Sequence, residues 1–370
     1  MHTESIAANL VALTLVPGVG RSTLAKIFYS QKKHGWSWSN FWVAEPSLQQ
    51  KIPISEKLFI AIQKTKKEQE IYGFLEKLKE KSIRVIVIGS SQYPQLLAQS
   101  ERPPVLLFAK GAPLNSCPLL PVAVVGTRRV TSYGCSVTTE ITKQLCQAGA
   151  TIVSGCMYGV DTVAHLAALA ANAHTVAVLG FGFDYMYPAS QDAIVDQILT
   201  KGGTIISEYP PATRPTKGNF IARNSIVAGM SLAVVVTEAA KRSGSHTTAQ
   251  FALESGRSVC AVPGPIQSPY SEGTKWLINE GAVLVSSAND ILTELGMEAT
   301  GENLPASTKS EGPVGKLEQK IIAVLQTGPQ QNEDLFAQLS CSFAAYQACL
   351  TKLELGGYID RKGEKVSICY

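Results

Sequence analysis

Four short segments carry residue types suited to holding phosphate: Gly126-Thr127-Arg128-Arg129, Ser154-Gly155, Lys217 to Asn224, and Ser243-Gly244-Ser245. Each follows an apolar run and leads into a stretch of helical periodicity. At such a junction the first N–H groups of the helix lack intrahelical partners, so an anion is favoured there. Arginine forks onto phosphate through two hydrogen bonds, and lysine acts as a compact point charge. The third segment, Lys217-Gly-Asn-Phe-Ile-Ala-Arg-Asn224, also sets an aromatic between two cations. A small phosphate ligand has no use for that ring, whereas single-stranded nucleic acid stacks bases on one, at about 1 to 3 kcal/mol per base. Phe220 reads equally well as a core residue opening a helix, and the residues alone leave both readings open.

Other chemistry is poorly served. Neither G-x-G-x-x-G nor G-x-x-x-x-G-K-[ST] occurs, so a dinucleotide or triphosphate held by the usual loops is disfavoured. Asp161 and His165 stand four residues apart on one helical face. Without a third ligand or a nucleophile in reach, they read as structural. Thr131 or Ser132 reads as a helix cap. The surplus of hydroxyls in Ser243-Gly-Ser-His-Thr-Thr points to ligand contact beyond capping. Eight cysteines, at 117, 135, 146, 156, 260, 341, 349 and 369, include no C-x-x-C pair and sit mostly among apolar neighbours. They suit reduced core thiols better than a disulfide scaffold or zinc site. No metal, cofactor or catalytic set is expected.

The elements that position these segments follow from periodicity. A length of 370 residues with 45% hydrophobic and 17% charged composition allows two or three domains around sizeable cores. Residues 1–75 read as helical, with Ile6 to Leu15 and Ser22 to Tyr29 separated by the turn Val16-Pro-Gly-Val-Gly20. That turn resembles a helix-hairpin-helix or sterile-alpha-motif-like element, and either a packing glycine or a phosphate contact accounts for it. From about residue 82, Val- and Ile-rich runs recur with helical stretches between them: Pro121 to Gly126, Thr151 to Gly155, Thr175 to Gly180, Thr204 to Ser207, Leu232 to Thr237 and Ser258 to Val262. Lack of alternation in the runs implies strands buried on both faces. The expected fold is α/β, a Rossmann-like doubly wound, mostly parallel sheet over residues 82–298. Residues 299–315 read as a linker, and residues 316–370 as a winged-helix domain whose recognition helix would be Phe343 to Leu355.

Net charge is +4, but its placement matters more. Residues 82–298 carry fourteen Lys/Arg and fourteen Asp/Glu, yet Arg128, Arg129, Arg214, Lys217, Arg223, Lys241 and Arg242 cluster at one end of the expected sheet. A local basic patch in a neutral domain fits a polyanion groove. In residues 316–370 six cations balance six anions, so that domain is expected to contact protein rather than duplex DNA. No apolar run is long enough to span a membrane, and no signal peptide is read at the start, so a cytoplasmic location is expected.

The motifs together resemble the DNA-processing protein A (DprA/Smf) family over about residues 82–296. The resemblance rests on Val-Val-Gly-Thr-Arg-Arg with Ser132-Tyr-Gly134, on Ser154-Gly with Gly159-Val-Asp and Ala164-His165, and on Ala177-Val-Leu-Gly180 with Tyr187-Pro188. It continues through Ser207-Glu208, Asn219-Phe220 with Ala222-Arg-Asn224, Ser243-Gly-Ser with Thr248-Ala249, and Ala261-Val-Pro-Gly264. It implies a bacterial homodimer that binds single-stranded DNA in the Rossmann pocket during natural transformation and loads the RecA recombinase, with single-strand-binding protein as a further partner. By motif, Arg128 falls on the family's basic loop position, Lys217 and Phe220 on its cation and base-stacking positions, and Arg223-Asn224 on its Arg-Asn pair. Ile221 stands where the family usually has proline, Ser225 where it has a last arginine, and His246 where leucine is common. Losing the cation at 225 is expected to weaken DNA binding. The rival reading is a nucleotide-processing hydrolase, which would need Glu208 or Glu238 as its acid. A transcription regulator using the winged helix is a third.

Overall fold

The computed structural model describes residues 2–43, 46–64, 68–116, 120–297, 316–325, 328, 330–339, 346, 349–350, 353–354, 359–362 and 365–368. The expected linker at 299–315 lies outside them, as does most of the expected helix Phe343 to Leu355. The chain divides into two units, 1–299 and 300–370.

The larger unit is built on a nine-stranded sheet. Its strands are β1 (Arg84–Val87), β2 (Leu106–Gly111), β3 (Leu120–Val125), β4 (Ala150–Ser154), β5 (Thr175–Leu179), β6 (Thr204–Ser207), β7 (Ala233–Val236), β8 (Ser258–Ala261) and β9 (Val283–Leu284). Their spatial order is β1-β2-β6-β5-β4-β3-β7-β8-β9. All pairs from β6 across to β9 are parallel, while β1 and β2 form an antiparallel edge on β6. The chain winds outward from β3 through β4, β5 and β6, then returns to β3's other flank with β7. This reversal makes the gap between β3 and β7 the switch point, where an open α/β sheet leaves a crevice at its carboxyl edge. The two antiparallel edge strands were not among the sequence-read runs.

Burial on both faces explains the unbroken apolar runs. Along β3, Ala123 and Val125 join one core with helices Lys217–Gly229 and Ser245–Glu254, whereas Val122 and Val124 join a second core with helices Ser132–Gln147 and Val160–Ala170. Each such buried valine contributes about 1.5 to 3 kcal/mol relative to exposure. The N-terminal helices, His2–Thr14 and Arg21–His34 among them, share a core with the edge strands through Leu10, Ile27, Phe41, Val105, Leu106 and Phe108.

The smaller unit holds helices Lys316–Leu325 and Asn332–Ala337 and a three-stranded antiparallel sheet, Gln330–Gln331, Ile359–Lys362 and Lys365–Ile368. Ile321, Leu325, Leu335, Tyr346, Leu350 and Val366 fill its core. This is a winged-helix arrangement.

Candidate nucleic-acid interface

The four sequence-read segments meet in one cleft of about 850 Å³ at the switch point. Gly126, Thr127, Arg128 and Arg129 line it from the end of β3, Gly155 from β4, Lys217, Phe220, Arg223 and Asn224 from the helix before β7, and Ser243, Gly244 and Ser245 from the loop after β7. Ser154 does not line it: the side chain is fully buried and its hydroxyl donates to the Val124 carbonyl at 2.7 Å. Of the wider basic patch, Arg242 also lines the cleft; Arg214 and Lys241 are exposed outside it.

Backbone bonds between loops set the rim. Thr127 N–H donates to the Glu238 carbonyl at 2.7 Å, and Val160 N–H donates to the Thr127 carbonyl at 3.1 Å. Gly159 lies at φ +79°, and a Cβ there would come within 2.2 Å of the Thr127 carbonyl oxygen. Glycine alone permits both the left-handed backbone and this approach. Arg128 and Arg129 are thereby held on an exposed turn. Behind them Thr131 caps helix Ser132–Gln147, accepting from Gly134 N–H at 3.1 Å, as its type suggested. Glu238 is buried and accepts from the Thr131 N–H at 2.9 Å and its hydroxyl at 2.7 Å.

The cleft floor is organised by Arg223. Its guanidinium is buried and donates to the carbonyls of Gly155 and, at 2.7 Å, Val178, with Nε donating to Asn224 Oδ1 at 3.2 Å. Burial pulls its pKa down, and the charge of Asp161 opposes that shift. Asp161 shows the mirror image, raised by burial and held back by Arg223 and the Met157 N–H. Gly155 separates the pair from the strand end; a Cβ would meet Arg223 at 2.1 Å and Asp161 at 2.7 Å. Arg223 is thus engaged by protein and is not a free phosphate grip. His165 is structural too, but apart from Asp161: its Nδ1 bonds Thr175 Oγ1 at 2.7 Å, and burial pushes its pKa down to about 3.

Phe220 satisfies both sequence readings. It packs beside Phe181, 6.2 Å between centroids, yet lines the cleft half-buried, with Arg128 and Arg223 over its ring at 6.0 and 5.9 Å. Three further aromatics without an assigned role line the cleft: Tyr187, Tyr158 and the half-buried Tyr270. Tyr187, 45% exposed, lies 5.6 Å from Phe220, and Tyr158 is 47% exposed. The legible signal was position: Tyr158 follows the Ser154-Gly155 strand end by three residues. Lys217 is exposed in the first turn of its helix, behind the Thr216 cap. A cation at that end opposes the helix dipole, a conflict that a bound anion relieves. Ser243 and Ser245 hydroxyls bond each other at 2.8 Å, leaving Thr247 as the half-buried hydroxyl facing the cleft.

The DNA recombination-mediator protein A family matches residues 84–296, more than half the chain, and the DprA winged helix domain matches residues 305–365. The chain belongs to the DprA family. It is similar to Protein Smf of Synechocystis, 33% identical over 342 residues, which cover 90% of this chain and 84% of that one. Among solved structures, DprA from Streptococcus pneumoniae superposes with TM-score 0.68 at 31% identity over 78% of this chain and 97% of that chain. DprA from Helicobacter pylori, whose single-stranded DNA binding mode has been studied structurally, superposes with TM-score 0.51 at 29% identity over 57% of this chain and 95% of that chain.

Two departures from the family pattern take on a physical meaning here. Ser225 points away from the cleft, donating to the Ala222 carbonyl at 2.7 Å and accepting from Arg21 at 2.7 Å. Position 225 thus faces helix Arg21–His34, whose Arg21 donates to it, and is not among the residues lining the cleft. Arg21 pairs with Glu208, Nε to Oε1 at 2.8 Å. Ile221, where proline is usual, lies 45% exposed on the cleft wall.

No helix among the described residues is long and apolar enough to cross a membrane. Burial pushes the thiols of the half-buried Cys146 and the buried Cys156 up to about 11 and about 12, whereas Cys135 is exposed.

Proposed function

We propose that this protein is a non-enzymatic recombination mediator that binds incoming single-stranded DNA in the switch-point cleft, protects it and loads RecA during natural transformation. One observation carries the reading: the exposed charges lining the cleft, Arg128, Arg129, Lys217 and Arg242, are all cationic, while its one lining carboxylate, Asp161, is buried beside Arg223. Cations interleaved with Phe220, Tyr187 and Tyr158 suit phosphates alternating with bases. The hydrolase alternative loses support because its two candidate acids are engaged, Glu208 by Arg21 and Glu238 by the Thr131 cap. Without a Walker loop, loading draws on binding free energy alone.

The protein acts as a cytoplasmic homodimer in this reading, with the dimer surface near Ala239 to Ala252 and Trp276 to Ile278, where Trp276 and Leu253 are exposed. RecA is the partner, single-strand-binding protein the competitor it displaces, and the winged helix a protein contact. The test is RecA filament assembly on strands coated with single-strand-binding protein. Acceleration by the dimeric protein, without nucleotide hydrolysis, is expected. No acceleration with RecA of the same organism, or release of base from nucleoside monophosphates, would overturn the proposal.

A further inference from the structure

A second groove, about 1380 Å³ in volume, runs between helix Arg21–His34 and helices Lys217–Gly229 and Ser245–Glu254. It shares two walls with the cleft. Helix Lys217–Gly229 turns Lys217, Phe220, Arg223 and Asn224 to the cleft but Ala222 and Ser225 to the groove. Helix Ser245–Glu254 presents Ser245, Thr247 and Thr248 to the cleft, then Phe251 and Glu254 to the groove. From Ser245 to Phe251 the helix rises only about 9 Å, so the two concavities adjoin.

The opposite wall has a pattern of its own. Ser22, Lys26, Tyr29 and Lys33 recur at spacings of four, three and four, which brings them onto one helical face, and all four line the groove. Lys26 and Lys33 are exposed, and Tyr29 is 47% exposed between them. Lys51 and Arg102 add exposed cations; the lining acids are Glu101, which meets Arg102 at 3.4 Å, and Glu254. Arg21 brings no free charge because Glu208 pairs with it, but it fastens the two walls through Glu208, Ser225 and the Ala222 carbonyl. The groove is therefore preformed, with an excess of cations around an exposed aromatic.

We infer that this groove is a second track for the same single strand, receiving nucleotides that leave the cleft over the end of helix Lys217–Gly229. The inference rests on the proposed cleft reading and extends it: the N-terminal segment lengthens the binding site, with Lys26 and Lys33 on phosphates and Tyr29 under a base. It also explains why an exposed tyrosine stands between lysines on a face that the helix's own core does not use.

The test compares oligothymidylates of about 6 and about 20 nucleotides, one within and one beyond the range of about 4 to 16 typical of a single-strand site, by fluorescence anisotropy across a salt series. For Lys26→Glu/Lys33→Glu, long-strand affinity should fall roughly tenfold at about 0.1 M salt and the log–log salt slope by about 1.4, for two lost phosphate contacts. Short-strand affinity should not change. Tyr29→Ala should weaken the long strand several-fold with an unchanged slope. Thermal unfolding confirms that these exposed substitutions leave the fold intact. Unchanged long-strand binding in both variants, or an equal loss on short and long strands, overturns the second track. Lys217→Glu separates the two readings, since if it leaves short-strand affinity unchanged the cleft assignment itself fails.

Discussion

The floor and the rim of the cleft use the same residue types to opposite ends. On the floor Arg223 and Asp161, and beneath it Ser154 and His165, are buried and bonded within the protein, to carbonyls, N–H groups, a threonine hydroxyl and each other's charge, with His165 Nε2 left without a partner among the described residues. On the rim, Arg128, Arg129, Lys217 and Arg242 stand exposed, beside tyrosines with nearly half their surface open. A buried charge must be paired to be tolerated at all, whereas an exposed one costs little to leave free for a ligand. The lesson is that an arginine's type does not say whether its charge is free: Arg223 is bonded to the Gly155 and Val178 carbonyls, whereas Arg128 and Lys217 stand exposed.

The largest effect should come from attacking the floor. Arg223→Ala strands the Asp161 carboxylate and two strand-end carbonyls, and should lower unfolding stability by about 3 to 5 kcal/mol, read by urea denaturation. An apolar double replacement, Arg223→Met/Asp161→Leu, should recover part of that loss. A stability change under about 1 kcal/mol in the single variant would place Arg223 with the rim instead.

A second test of the floor is acid. His165 has its pKa pushed from 6.5 down to about 3 in the folded protein. A base with a depressed folded pKa stays neutral when native but takes a proton when unfolded, so stability is full above about 6.5 and drains as pH falls towards about 3. The contribution of His165 between about pH 7 and about pH 5 is a loss of about 2 kcal/mol. His165→Gln should flatten this part of the stability profile. An equally steep profile in the variant would show that other groups carry it.

The rim should respond in binding and not in stability. Lys217→Glu should weaken single-strand binding and reduce the salt slope by about 0.7, with unfolding stability changed by no more than about 0.5 kcal/mol. Phe220→Ala and Tyr187→Ala should each cost about 1 to 3 kcal/mol of affinity with the slope unaltered. The comparison sharpens if Phe220→Ala also destabilises the fold and Tyr187→Ala does not, since only Phe220 is packed into a core.

Much of the architecture was legible because it depends on local pattern. Six buried parallel strands read as uninterrupted Val and Ile runs, and one helix start showed in Thr131. The edge strands β1 and β2 went unread: they are antiparallel, lie outside the regular strand–helix alternation, and are covered on one side by the N-terminal helices, a contact between distant parts of the chain. The site was legible as a set of segments but not in its division of labour. Ser154 suited a phosphate site by type but is buried away from the cleft, Arg223 lines the cleft but is tied to backbone carbonyls, and Tyr158 and Tyr187 line it with an exposure that type does not reveal.

By itself the sequence determined which segments end at the cleft, since residue type and spacing at strand ends follow from local backbone chemistry. It also carried the cations and the aromatic that make a polyanion the fitting ligand. Only the tertiary structure decided which of those groups are free, because solvent exposure and partner choice depend on what the fold brings from elsewhere. Arg21 is the plainest case: about two hundred residues before Glu208 and Ser225, it closes on both only once the sheet and helices have assembled.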